Sequence, residues 1–341
     1  MAEVNSRQQL MELVQALPTA DGAMRQTAAA RQNNLTKPPG SLGRLEELAL
    51  WLSAWQGKPK PVLENCQTII FAGNHGVAER GVSAFPADVT AQMVANFKAG
   101  GAAINQLCKS VGSSLDVHAL DLDRPTADFS KQPAMDEIDL LEAVNRGMAA
   151  VDSAADILLL GEMGIGNTTV AAALCAALFG GEPINWVGRG TGVDDAKIAL
   201  KADLIETALI KHADRLDDPI GCLASMGGRE QAAIFGATLM ALLLKKPVIL
   251  DGFVCTAAAA PLSKLTPTGL DHCIVGHVSM EPGHRKLIDH LGKKALLDLD
   301  MRLGEGSGAA VALGIVKSAV AVHNDMATFA EASVAEAIEK A

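Results

Sequence analysis

The first sixty residues carry helical periodicity. One apolar-periodic run extends to Leu17, a second through about Asn34, and a third from Gly43 to Trp55. Trp51 and Trp55 stand four apart on the third, so they share a face and are expected to pack. After Pro59 and Pro61 the pattern changes to short aliphatic runs: QTIIFAG (67–73), LDVHAL (115–120), DILLLG (156–161), INWVG (184–188), PVILDG (247–252) and CIVGHV (273–278). Ala-rich stretches of helical spacing separate most of them. Continuous apolar strands alternating with helices predict an α/β fold, a mainly parallel sheet flanked by helices on both faces. From Ala309 onward the chain reads as helix again, and it is expected to join the N-terminal helices in a small lobe. The expected organisation is N-terminal helices over 1–60, an α/β body over 61–319 and a C-terminal helix over 320–341.

Composition narrows the class. Over 341 residues, 29 Lys+Arg against 39 Asp+Glu gives 29 − 39 = −10, and aromatics are 3% with no tyrosine. A nucleic-acid partner would call for a basic face or stacking platforms, so it is not expected. Nearly half the residues are hydrophobic, enough for a large core of small aliphatic side chains and too many for disorder. Cys66, Cys108, Cys175, Cys222, Cys255 and Cys273 form no CxxC pair, as expected of reduced, buried thiols in a cytoplasmic protein. The N-terminus is polar and amphipathic without an apolar signal core. The apolar stretch 235–250 is interrupted by Gly236 and by Lys245-Lys246-Pro247, so no membrane span is expected.

In such a sheet, ligands bind beyond the carboxyl ends of the strands. The loops there are rich in glycine: GNHG after the first run, GEMGIGNTT after the third, GRGTG after 184–187 and DGF after 247–250. Gly161–Thr169 leads into VAAALCAALF, a strong helix former. Close backbone approach at Gly164 and Gly166, with Asn167 and Thr168 at a helix N-terminus, makes a cradle for a phosphate. The spacing resembles GxxxxGK[ST], but Asn167 occupies the lysine position, which favours a single phosphate over a nucleoside triphosphate. The same residues are compatible with a glycine turn in which Asn167 or Thr168 merely caps the helix.

A second glycine motif, MRLGEGSG (301–308), precedes the apolar helix AAVALGIV. Glu305, between Gly304 and Gly306, has no neighbouring side chains to shield its carboxylate. A partly dry site there raises a carboxylate's proton affinity and suits a general base. A capping or solvated glutamate remains the alternative. His272, His277, His284 and His290 match no zinc spacing, so no metal is expected. His75 in GNHG could meet a ligand or simply bond the backbone, and no GxSxG elbow is present.

KPPGSLGRLEELA (37–49), GNHGV (73–77), GEMGIGNTT (161–169), DGF (251–253) and MRLGEGSGAA (301–310) occur in that order. Together, over essentially the whole chain, they resemble the nicotinate-nucleotide–dimethylbenzimidazole phosphoribosyltransferases, which make the lower-ligand nucleotide of cobalamin. The resemblance implies a Rossmann-like sheet and transfer of phosphoribose from nicotinate mononucleotide to 5,6-dimethylbenzimidazole, giving α-ribazole 5′-phosphate and nicotinate. It implies Glu305 as the base and Glu162 at the ribose. For the 5′-phosphate it implicates the 161–169 loop, the Gly188–Gly192 loop with Gly190, and Lys201. That lysine restores the charge that Asn167 omits, either within its own subunit or across a homodimer. An apolar, flat base pocket is expected from Phe85, Met93 and Leu303, with Asp251 and Ser279 on the ribose and nicotinate side. No metal or redox cofactor is implied. Two other functions fit the residues: a non-catalytic nucleotide binder, and a hydrolase that passes the ribosyl group to water.

Overall fold

A computed structural model describes residues 3–335 apart from 191 and 193. Residue 191 of the GRGTG loop and residues 336–341 of the C-terminal segment therefore lie outside the described residues. Among the described residues the strands are β1 (Cys66–Ala72), β2 (Ser113–Ala119), β3 (Ile157–Met163), β4 (Val248–Leu250), β5 (Cys273–His277) and β6 (Ala295–Leu297). They form one sheet in the order β2-β1-β3-β4-β5-β6, with every neighbouring pair parallel.

The central apolar runs, at β1, β3 and β4, form strands because both of their faces are buried. Ile69, Phe71, Leu158, Leu160, Val248 and Leu250 belong to one core, while Cys66, Ile70, Ile157, Leu159 and Ile249 belong to the other. Successive side chains of a strand point to opposite faces, so a continuous apolar run is what a sheet covered on both sides requires. The first core is closed by the helices Glu137–Ala149, Asn167–Phe179, Arg229–Leu243 and Phe253–Leu265. The second is closed by Arg44–Gln56, Ala103–Val111 and Ser307–Asp325. All six cysteines are buried and free.

Two expectations about strands are corrected. Residues 184–188 form no strand: Pro183–Asn185 is a 3-10 turn, and the apolar character of the run has a local cause. Trp186 is fully buried, stacked with His290 and tilted against Phe179, while its Nε1 donates to the Gly180 carbonyl. The sixth strand is instead β6, a short, partly exposed edge strand that the apolar pattern did not mark.

The helices near the two chain ends meet. Arg31 donates through Nε to the His323 carbonyl at 2.7 Å and through Nη2 to the Asn324 and Met326 carbonyls at 2.9 and 3.1 Å. A cation on the last carbonyls satisfies orphan acceptors and opposes the negative end of the helix dipole. The helix Ser307–Asp325 runs through residues 319 and 320 without interruption, and a short helical turn, Phe329–Ala332, follows it. Trp51 and Trp55 do share a face, and both indoles donate to the Asp271 carbonyl, at 3.1 and 3.2 Å.

One crossing on the first face depends on glycine. A Cβ at Gly147 would run into the Ala233 carbonyl oxygen, and one at Gly236 into the Val144 carbonyl oxygen. The helices Glu137–Ala149 and Arg229–Leu243 therefore touch backbone to backbone. Replacing Gly236 with Ala gains about 1 kcal/mol in helix propensity. The forced separation costs about 1–3 kcal/mol and wins, because backbone cannot swing aside as a side chain can. Gly236→Ala is expected to lower the denaturant midpoint with an unchanged slope; a higher midpoint would contradict the close crossing.

Candidate active site

The strand order reverses between β1 and β3, so the chain switches direction beside the carboxyl end of β3. Beyond the carboxyl ends of β3, β4 and β5 lies a cavity of about 330 Å³. Its wall collects residues that the sequence scatters from Phe85 to Glu305. A larger, open depression of about 830 Å³ lies along Glu3–Asn5 and Glu137–Ala149, away from these strand ends.

Glu305 reaches the cavity from a turn of three successive left-handed residues, Gly304 at φ 78°, Glu305 at φ 62° and Gly306 at φ 75°. Glycine tolerates that conformation and a Cβ disfavours it, so the glycines on either side of Glu305 have a backbone reason. The turn lies directly on β3, because Gly161 has no side chain. A Cβ there would sit 2.6 Å from the Gly306 nitrogen and 2.9 Å from the Glu305 carbonyl carbon. Glu305 is only 7% exposed. Burial, and then the neighbouring Asp251, push its carboxyl up to about 7.

Glu162 closes the same wall from β3. Its Oε2 accepts from the Asn167 side chain, and a Cβ at Gly304 would strike its Oε1. Burial, and then Asp251 and Glu230, push Glu162 up to about 8 despite the Asn167 bond. Asp251 follows β4 at 1% exposure, and burial raises its carboxyl too, opposed chiefly by His277. Three carboxyl groups whose anionic forms are disfavoured thus share one wall.

The next stretch of wall suits an anion. Gly164, Asn167 and Thr168 line it at the N-terminal end of the helix Asn167–Phe179, and Gly190 and Ser279 line it nearby. Gly166 and Lys201 are not lining residues. Gly166, at φ 92°, is the N-cap of that helix and faces Ala78 and Val82. Lys201 is buried behind the Gly188–Gly190 backbone, where its Nζ donates to the Gly188 carbonyl at 3.0 Å. A Cβ built on Gly190 would lie 3.5 Å from Lys201 Nζ and 3.1 Å from Thr168 Oγ1. The chain's own lysine therefore lies behind Gly190, a residue of the cavity wall. Burial lowers the proton affinity of Lys201, and Glu281 opposes that shift.

The outer wall is apolar. Met93 and Val89, at the start of the helix Val89–Ala99, line it together with Phe85 and Leu303. Phe85 is 50% exposed and Leu303 55%, large apolar side chains at the mouth with room to cover a flat ligand.

Several wall residues escaped the sequence reading. Glu281 accepts the Gly190 N–H at 2.8 Å, and Phe253, His277 and Arg302 also line the cavity. Glu281 stood in HVSMEPG immediately before the proline that starts the helix Pro282–His290, the only local signal it offered. Behind the wall, His75 Nε2 and Glu230 Oε1 pair at 3.1 Å with both side chains buried, so His75 meets a buried carboxylate. No group of three or more His, Cys, Asp or Glu side chains suited to a metal ion occurs among the described residues.

The family described as phosphoribosyltransferase matches residues 17–334. The nicotinate-nucleotide–dimethylbenzimidazole phosphoribosyltransferase of Mesorhizobium japonicum is 59% identical over 320 residues, covering 94% of this chain and 95% of its own. The protein of the same name from Roseobacter denitrificans is 54% identical over 335 residues, 98% of this chain and 99% of its own. A crystal structure of CobT from Thermus thermophilus superposes with a TM-score of 0.86 at 40% identity, covering 92% of this chain and 100% of that one.

The raised carboxyls fix a sign for stability. A carboxyl with its folded-state value above the unfolded one holds its proton more tightly when folded. Its penalty is absent below the unfolded value, grows as pH rises, and is complete above the folded value. For Glu162 that window runs from 4.5 to about 8. Glu162→Gln is expected to flatten the fall in unfolding free energy of the ligand-free protein across this window, measured by denaturant titration. An undiminished slope would contradict the burial of a titrating Glu162.

Proposed function

The chain belongs to the phosphoribosyltransferase family, and we propose that it transfers the phosphoribosyl group of nicotinate mononucleotide to 5,6-dimethylbenzimidazole. The products are α-ribazole 5′-phosphate, with C1′ inverted, and nicotinate, in assembly of the cobalamin nucleotide loop. The observation that carries the proposal is one cavity holding a carboxyl poised near neutrality together with a helix N-terminus and an apolar mouth.

The chemistry asks for little more. Nicotinate leaves through a cationic ring nitrogen and becomes neutral at that atom, so its departure needs no general acid. The attacking benzimidazole nitrogen becomes cationic unless the opposite nitrogen loses its proton, and Glu305 is the base for that proton. A base poised near the working pH is the efficient kind and contributes ~10²–10⁴-fold. Glu162 meets the ribose, where developing oxocarbenium charge favours its anionic form. The 5′-phosphate rests on Gly164, Asn167, Thr168 and Gly190, with Lys201 behind them, and Ser279 stands on the ribose and nicotinate side. Phe85, Met93 and Leu303 cover the base. The enzyme so described is a cytoplasmic homodimer that uses no metal or redox cofactor. No helix among the described residues is long and apolar enough to cross a membrane.

Chromatography of reactions with and without dimethylbenzimidazole tests the transfer. Nicotinate release is expected to require the base, whereas release indifferent to it would mean transfer to water. Glu305→Gln is expected to keep mononucleotide binding while product formation falls at least ~100-fold. In the wild type, kcat is expected to fall below pH about 7, as the Glu305 carboxylate takes up its proton. Turnover that stays flat down to about pH 5, well below that value, would remove Glu305 as the base. Lys201→Ala is expected to weaken mononucleotide binding roughly tenfold, through loss of a buried positive charge behind the phosphate wall, and unchanged affinity would refute the phosphate role.

A further inference from the structure

Asp251 lines the cavity, and both of its oxygens are also engaged by the protein itself. Oδ2 accepts the Gly306 N–H at 3.2 Å, and Oδ1 accepts the Ala309 N–H at 2.9 Å. The Gly308 N–H adds to the same carboxyl. These donors lie at the N-terminal end of the helix Ser307–Asp325, whose own N-cap residue, Gly306, has no side chain to serve them. The acceptor comes instead from the residue that follows β4, 55 positions before Gly306.

Glu305 immediately precedes this cap, in a left-handed conformation that a residue with a Cβ adopts at a cost. The strand β3 supports the turn from below through Gly161, and Ser307 closes it, its N–H and hydroxyl both donating to the Gly304 carbonyl, at 3.0 and 2.7 Å. A hydrogen-bonded carboxyl from the adjacent strand fixes its position and its rotation. His277, at the end of β5, stands beyond it with Nε2 3.8 Å from Asp251 Oδ1.

We propose that Asp251 is a positioning residue: by capping the helix Ser307–Asp325 from the end of β4, it holds the Gly304–Gly306 turn and so aims the Glu305 carboxylate. This rests on Glu305 being the base. Asp251 then acts through Glu305 and is distinct from Glu162, which meets the ribose. Losing it should harm the proton-transfer step far more than binding of the mononucleotide, since small misplacement of a reacting group is costly to rate.

The test is a double-substitution cycle with nicotinate mononucleotide and dimethylbenzimidazole as substrates. Asp251→Asn keeps size and one acceptor, and Asp251→Ser supplies a short neutral cap should the first variant fold poorly. Each is expected to lower kcat roughly 10–100-fold while the mononucleotide KM stays within about threefold. In the Glu305→Gln background, either change is expected to cost at most about twofold more, because the aimed group is already gone. Amide exchange at Gly306 and Ala309 is expected to accelerate in both variants relative to the middle of the same helix. Multiplying losses, a KM effect without a kcat effect, or unchanged exchange would overturn the positioning role while leaving Glu305 as the base. Near-normal turnover of Glu305→Gln alone would instead remove the base, and the positioning role with it.

Discussion

The site depends on a backbone-to-backbone contact between β3 and the turn that carries Glu305. Gly161 presents no side chain, so the Glu305–Gly306 peptide lies against the strand, its atoms 2.6 to 2.9 Å from where a Cβ would be. The next residue of the strand is Glu162. One contact thus fixes two carboxyl groups from distant parts of the sequence on a single wall. Their closeness to Asp251, and their shared burial, then disfavour the anionic forms of all three. Bulk at position 161 would lift the turn off the strand and undo the arrangement at its origin.

The sheet and the site share one cause. A parallel sheet sends every carboxyl end to the same edge, and the reversal of order between β1 and β3 opens a crevice there. The central strands are apolar on both sides and offer that edge mostly backbone. The loops that leave them must therefore supply most of the polar chemistry. Glycine lets those loops pass one another closely, as at Gly161 and Gly304. The net charge of −10 does not by itself decide the ligand: Glu162, Asp251, Glu281 and Glu305 line the cavity with their anionic forms disfavoured by burial, and Lys201 lies buried behind Gly190. The scarcity of aromatics also has a local meaning: a flat heterocycle would be covered mainly by Met93 and Leu303, with Phe85 the ring beside them at the mouth.

Much of this was legible in the sequence where physics is local. The runs at β1, β3 and β4 read as buried strands because their centres are continuously apolar, and the helices of the first sixty residues read from their period. Glu305 and the 164–168 loop stood out because flanking glycines mark places where backbone must approach something, whereas Glu162 was singled out only by the family resemblance. Legibility failed where tertiary contacts set the outcome. Trp186 made a loop look like a strand, since its partners Phe179 and His290 are invisible to a short window. The half-exposed β6 lacked the apolar length of its neighbours. Glu281 joins the site by accepting the N–H of a residue 91 positions away, and Asp251, which the resemblance did place at the site, also caps a distant helix. No spacing rule encodes either contact.

The central physical claim is that the fold holds Glu305 as a buried carboxyl that exchanges its proton near neutrality. The most direct measurement is a carbon-13 NMR titration of the ligand-free protein labelled at glutamate Cδ, with Glu305→Gln used to assign the resonance. The Glu305 signal is expected to titrate near pH 7. A midpoint in the ordinary glutamate range, near pH 4.5, would contradict the account.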